Sequence, residues 1–136
     1  MDDPAVTAAP AAPITALLAD DDVGYLTSLR VLIDNQPELQ VVGAVTDGLA
    51  AIEHADALAP DACVLDLHMP LLDGVTTAAR LRRDRPNLCL IALTGDSDPR
   101  LHEAVREAGA DAVLLKGQMV DALVRRLGAV RAAASR

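Results

Sequence analysis

A chain of 136 residues, 51% hydrophobic and 24% charged, is sized for one domain with a real core and not for two. Its net charge of -8 lacks the Lys/Arg footprint of phosphate-backbone binding, so no direct nucleic-acid contact by these residues is expected. Tyr25 is the only aromatic, which leaves Leu, Val, Ile and Ala to build the core and removes the stacking platforms that single strands need. Cys63 and Cys89 lie inside apolar runs and read as reduced core thiols, not as a disulfide framework. No stretch reaches the roughly 20 apolar residues of a membrane span. Asp2 and Asp3 stand where a signal peptide would be basic, so a cytoplasmic, membrane-free location is expected.

Residues 1–12 are rich in Ala and Pro and are expected to be a disordered extension. From Pro13 the chain alternates two kinds of segment. Ile14–Ala19 is a short apolar run ending in Asp20-Asp21-Asp22. Residues 24 to about 35 place Leu26, Leu29 and Leu32/Ile33 at helical spacing, and Pro37 stops them. Leu39–Val45 is a Val-rich strand. Thr46 or Asp47 can cap a helix to about Leu58 with Ile52, Ala55 and Leu58 on one face. Pro60-Asp61 turns into the run Cys63–Asp66, and Asp73-Gly74 then opens a helix to about Asp84 with Val75, Ala78, Ala79 and Leu81 facing in. Leu88–Leu93 is a fourth strand, ending at Thr94-Gly95-Asp96. Ser97 or Asp98 caps a helix to about Ala108, with Pro99 in its first turn and Gly109 at its end. Val113–Leu115 is a fifth strand closed by Lys116-Gly117. A last amphipathic helix uses Val120, Leu123, Val124 and Leu127. One domain is thus expected over 13–131, with 132–136 a tail or the start of a linker.

Five strands, each followed by a helix, predict a parallel sheet covered on both faces. The right-handed crossover rule and the chain length favour a flavodoxin-like (βα)5 doubly wound sandwich of strand order 2-1-3-4-5. In that order strands 1, 3, 4 and 5 are neighbours, and their carboxyl ends share the edge where such sheets bind ligands. Asp20 and Asp21, Asp66, Thr94 and Lys116 are therefore expected to converge.

Clustered carboxylates repel one another unless a cation lies among them. Mg²⁺ suits a few carboxylates, a carbonyl and waters. With an ammonium from Lys116 and a hydroxyl from Thr94, the edge suits a phosphoryl group, and a central carboxylate can itself be the nucleophile, forming an aspartyl phosphate. Each residue alone has a plainer reading: Asp66 as a cap or turn residue, Lys116 as a solvated charge, Thr94 as a turn hydroxyl. Asp20-Asp21-Asp22 is as well suited to capping the next helix as to holding a metal.

The motifs Leu17-Leu18-Ala19-Asp20-Asp21-Asp22, Val64-Leu65-Asp66-Leu67-His68-Met69-Pro70 with Asp73-Gly74, Leu93-Thr94-Gly95, and Gly109-Ala110-Asp111 leading to Leu115-Lys116 together resemble the receiver domain of a bacterial two-component response regulator. The resemblance runs from about Thr15 to Leu127. Pro37-Glu38 to Val41-Val42-Gly43 resembles the branch that usually carries a C-terminal LuxR-type helix-turn-helix. The resemblance implies that Asp66 is the phosphoacceptor for a sensor histidine kinase or a small phosphodonor. It implies Mg²⁺ or Mn²⁺ held by Asp20, Asp21, Asp66 and the main-chain carbonyl of His68, with Thr94 and Lys116 binding phosphoryl oxygens. It further implies homodimerisation on phosphorylation and transcription regulation through a DNA-binding domain outside this chain. Catalysis would be limited to the protein's own phosphorylation and dephosphorylation.

Several positions depart from the family pattern. Val113 holds the switch position that usually carries Tyr or Phe, Gly117 follows the lysine in place of Pro, and Gly95 replaces a more usual Ala. His68 and Asp96 occupy the two positions that flank the attacking water in the family and are expected to set the dephosphorylation rate. The leading expectation is a phosphorylation switch. The alternative is a phosphorylation-independent or stand-alone receiver acting as an interaction module, which the missing aromatic favours. A haloacid-dehalogenase-type phosphatase would want a second acid two residues after the nucleophile, where His68 stands. Neither G-x-G-x-x-G nor G-x-x-x-x-G-K is present for nucleotide binding.

Overall fold

The alternating segments fold as the sequence pattern predicts. The computed structural model describes residues 12–69, 71–116 and 125–126. It contains β1 (Ile14–Ala19), α1 (Val23–Asp34), β2 (Leu39–Val45), α2 (Gly48–Leu58), β3 (Ala62–Asp66), α3 (Gly74–Asp84), β4 (Cys89–Thr94), α4 (Pro99–Ala108) and β5 (Ala112–Leu115). Arg125 and Arg126 are helical. The expected N-terminal extension up to residue 11, Pro70, Gly117, and Val120, Leu123, Val124 and Leu127 of the last helix lie outside the described residues. Among the described residues no helix is long and apolar enough to cross a membrane.

All strand pairings are parallel, in the order β2-β1-β3-β4-β5, which is the expected flavodoxin-like arrangement. Successive strand residues point to opposite faces, so each strand feeds two cores. Leu17, Ala19, Cys63, Leu65, Leu90 and Ala92 pack with Ala51, Ala55, Ala78, Leu81 and Val105 on the face covered by α2, α3 and α4. Leu18, Val64, Ile91 and Leu93 pack with Leu26, Leu29 and Ile33 of α1 on the other. Burial on both faces is why these strands read as continuous apolar runs.

The register of β2 against β1 slips between Ala16 and Leu17, where Val41 and Gly43 are the successive partners and Val42 is skipped. The bulge inverts the alternation. Leu39 and Val41 join the α1 side, whereas Val45 joins the other. Nothing in the sequence expectation anticipated that slip.

Each described helix begins on an aspartate. Asp22, Asp47, Asp73 and Asp98 accept hydrogen bonds from the backbone N–H groups of Tyr25, Ala50, Thr76 and Arg100, satisfying donors that the first turn leaves free. Four of the acidic residues thus serve as caps. At the start of α3, a Cβ on Gly74 would lie 2.4 Å from Leu67 Cα, so only glycine lets this helix abut the end of β3. Two helix faces differ from expectation. In α2 the buried line is Gly48, Ala51 and Ala55, with Leu58 41% exposed. In α3 it is Gly74, Thr77, Ala78 and Leu81, with Ala79 exposed. The 3.6-residue period allows either set, and the packing against the sheet decides between them.

Candidate functional site

The strand registers place the carboxyl-end residues side by side. Ala19 pairs with Leu65 and Asp66 with Leu93, so Asp20 and Asp66 follow on adjacent strands. Leu18 and Val64 lie on the α1 face, and the two-residue period carries that face to Asp20 and Asp66. Thr94 pairs with Leu115, and the Lys116 N–H donates to the Thr94 carbonyl at 2.8 Å. Lys116, two residues beyond Leu114 of the same face, therefore arrives on the α1 side as well.

Asp20, Asp21 and Asp66 each offer a carboxylate oxygen within 4.8 Å of the others. Asp20 and Asp66 are buried, at 2% and 4% exposure, while Asp21 is exposed. Lys116 Nζ lies 2.6 Å from Asp20 Oδ2 and 3.5 Å from Asp66 Oδ2. The Asp-Asp-Asp run divides its labour: Asp22 caps α1 and its N–H donates to Asp20 Oδ1 at 2.9 Å, leaving Asp20 and Asp21 to the cluster. Both readings of the triplet hold, for different members.

Burial, then repulsion from Asp20, pushes the Asp66 carboxyl up to about 6, against the pull of Lys116 and of the His68 N–H. That N–H donates to Asp66 Oδ1 at 3.3 Å. Lys116 is raised above its ordinary value: burial opposes its charge, but the close contact with and attraction of the Asp20 carboxylate, together with Asp66, outweigh it. Asp20 Oδ2 is the one buried side-chain oxygen among the described residues that meets no donor in hydrogen-bonding geometry, despite its nearness to Nζ. Three carboxylate donors, one of them under-satisfied, suit a hard divalent cation such as Mg²⁺ or Mn²⁺ and no soft one.

Thr94 is fully buried at the end of β4 and its Oγ1 accepts from the Asp96 N–H at 2.9 Å, which fixes the start of the β4–α4 loop. His68 and Asp96 are exposed, with Nε2 and Oδ2 4.0 Å apart across the mouth. A Cβ on Gly95 would meet nothing within 4 Å. Val113 is half-buried against the α2–α4 core. Two further residues reach this edge with no motif to mark them. His102 of α4 lies with Nε2 2.6 Å from the Asp96 carbonyl oxygen. The Tyr25 ring lies under Lys116, with Nζ 4.5 Å from its centroid. The cysteines lie away from this edge. Burial pushes the Cys63 thiol up to about 12 and the half-buried Cys89 thiol up to about 11, so both are protonated and poor nucleophiles at neutral pH.

Comparison with known proteins bears on this edge. The family model for the response regulator receiver domain matches residues 16–128. The nitrate/nitrite response regulator protein NarL of Escherichia coli is 32% identical over 115 residues, which are 85% of this chain and 53% of that protein. A protein-glutamate methylesterase/protein-glutamine glutaminase of Thermotoga maritima is 33% identical over 100 residues, covering 72% of this chain and 29% of that protein. The chain thus spans about half, or less, of the length of these curated relatives. Among solved structures, the signal receiver domain of NarL from Mycobacterium tuberculosis superposes with a TM-score of 0.82 at 25% identity, over 92% of this chain and 99% of that one. A LuxR-family DNA-binding response regulator from Staphylococcus aureus shares the fold, with a TM-score of 0.81 at 23% identity over 86% of this chain and 98% of that one.

Proposed function

The chain belongs to the response regulator receiver domain family, and we propose that it is a phosphorylation switch whose phosphoacceptor is Asp66. The observation that carries the proposal is the convergence of three carboxylates within 4.8 Å beside an ammonium at 2.6 and 3.5 Å. That arrangement is electrostatically unfavourable by itself and is relieved by a cation and an anionic group together. An Asp66 oxygen attacks phosphorus, the bond from phosphorus to the imidazole nitrogen of a sensor kinase or to a small donor breaks, and an acyl phosphate forms.

Asp20, Asp21, Asp66 and the main-chain carbonyl of His68 would hold Mg²⁺ or Mn²⁺, which when bound supplies positive charge to the phosphoryl oxygens. Lys116 exchanges its contact with Asp66 for a phosphoryl oxygen, and Thr94 donates its hydroxyl to another. Both residues lie at strand ends, and Thr94 carries the loop that leads into α4. His68 and Asp96 stand where a water must approach the acyl phosphate, and they set how long it lasts. The receiver unit is 13–131, in the cytoplasm. Its output is homodimerisation through the surface of α4 and β5, coupled to transcription regulation by a DNA-binding domain outside this chain. The name of the NarL relative, a nitrate/nitrite response regulator protein, supports a response-regulator output.

Val113 favours a second reading, a phosphorylation-independent interaction module, because it offers no aromatic ring to follow Thr94. Intact-mass spectrometry after incubation with Mg²⁺ and a small phosphodonor separates the two. The switch requires one added phosphoryl group that Asp66→Asn does not acquire. An unmodified wild-type chain with either a small donor or a kinase would leave the interaction module standing.

A further inference from the structure

Tyr25 is the sole aromatic residue of the chain, and it lies against the lysine of the site. Its ring centroid is 4.5 Å from Lys116 Nζ, within the roughly 6 Å over which an ammonium is attracted to a ring face. The contact closes a circuit. The Asp22 N–H donates to Asp20 Oδ1 at 2.9 Å, the Tyr25 N–H donates to Asp22 Oδ1 at 3.1 Å, and Lys116 Nζ lies 2.6 Å from Asp20 Oδ2. The cap of α1 therefore fixes the tyrosine backbone relative to Asp20, the carboxylate nearest the lysine. A long, flexible ammonium side chain has four rotatable bonds to freeze before it can bind a phosphoryl oxygen. A ring on one side and two carboxylates on the other freeze them beforehand.

We infer that Tyr25 is a positioning residue for phosphoryl transfer, holding the Lys116 ammonium over the acceptor through its ring face. The inference rests on the phosphoacceptor reading of Asp66. Pre-ordering the lysine lowers the entropy lost when the phosphoryl group arrives. The part played by the ring is electrostatic and not merely steric, because an aliphatic side chain of similar bulk has no negative face. The hydroxyl group is not required.

Three substitutions separate these contributions: Tyr25→Phe keeps the ring face, Tyr25→Leu keeps apolar bulk only, and Tyr25→Ala keeps neither. The rate of phosphoryl incorporation from a small donor with Mg²⁺ is expected to stay within about twofold of wild type in Tyr25→Phe and to fall by about fivefold in both Tyr25→Leu and Tyr25→Ala, the size set by one cation–ring contact. A Tyr25→Leu protein as fast as wild type, or a Tyr25→Phe protein as slow as Tyr25→Ala, overturns the inference. If Tyr25→Ala does not fold, the Phe and Leu variants decide alone. A second readout needs no phosphorylation. Near-ultraviolet circular dichroism reports Tyr25 by itself in a chain with one aromatic, and Lys116→Met is expected to change that band while the far-ultraviolet spectrum persists. An unchanged band overturns the contact. A wild-type chain that accepts no phosphoryl group would defeat the phosphoacceptor reading, and the Lys116→Met spectrum would still decide whether ring and ammonium interact.

Discussion

Two basic side chains serve opposite ends of the same sheet, and their surroundings differ in kind. Arg82 of α3 makes four hydrogen bonds. Its Nε donates to the Gly109 carbonyl at 2.9 Å, Nη1 to the carbonyls of Pro86 and Leu88 at 2.7 and 2.8 Å, and Nη2 to Asp111 Oδ2 at 2.9 Å. Asp111 Oδ2 also accepts from the Leu90 N–H at 2.8 Å, so one guanidinium ties α3, β4 and the turn before β5 at the amino ends of the strands. Lys116, at the carboxyl ends, faces two buried carboxylates that repel each other and leaves one oxygen without a proper donor. A rigid planar fork suits the first task and a compact, mobile point charge the second. The backbone does not follow this division, since Ala59, between α2 and the start of β3, is left-handed with a φ of 46°. Where α4 ends at the Arg82 clamp, the positive φ of 123° falls on Gly109, and a Cβ there would lie 2.6 Å from Arg82 Cβ. Between β3 and α3, a φ of 69° falls on Leu71, which is 75% exposed. The contrast therefore lies in the side chains: paired around Arg82, mutually repelling around Lys116.

Breaking the clamp should have the largest effect on stability. Arg82→Met keeps the aliphatic stem but strands three carbonyls and a carboxylate, a loss of about 3 kcal/mol. Urea unfolding should show a lower midpoint with an unchanged slope. Relieving the carboxylates should act in the opposite direction. In the unfolded chain the Asp66 carboxyl titrates near about 3.9, whereas in the fold it is pushed up to about 6. The folded state therefore holds that proton more tightly, and stability falls as pH rises between the two values. In EDTA, Asp66→Asn should exceed wild type by about 2 kcal/mol above pH ~7, and the difference should close towards zero near pH ~4. A variant less stable than wild type at neutral pH would show that the site stores no repulsion. The smallest effect belongs to Leu71. Leu71→Gly removes a left-handed leucine and should gain about 0.5–1 kcal/mol, net of the entropy that glycine adds to the unfolded chain. A loss at this position would mean that the leucine is held by contacts worth more than the strain.

Much of this contrast is legible in the sequence, for reasons that differ by residue. Strand order follows from apolar runs separated by helical segments, and it alone brings Asp20, Asp66, Thr94 and Lys116 to one edge. The division of Asp20-Asp21-Asp22 between cluster and cap is not legible, because all three can do either. It is settled by where α1 begins, and hence by the Tyr25 N–H reaching Asp22. The bulge at Val42 had one trace, since Gly43 breaks a Val pattern that would otherwise put Val41 and Val45 on one face. Arg82 left no trace at all: three of its four partners are backbone carbonyls, which no side-chain pattern encodes. Tyr25 could have been flagged as a lone aromatic three residues after a capping aspartate, but its contact with Lys116 depends on the pairing of β1, β3, β4 and β5.

The division of labour is tested most directly by phosphoryl incorporation in Arg82→Met and Asp66→Asn, measured side by side by intact-mass spectrometry below the melting temperature of both. With Mg²⁺ and a small phosphodonor, Arg82→Met should acquire the phosphoryl group as wild type does despite its lower stability. Asp66→Asn should acquire none despite being the more stable protein. A phosphoryl group retained in Asp66→Asn, or lost from a folded Arg82→Met, would contradict the assignment of chemistry to one end of the sheet and stability to the other.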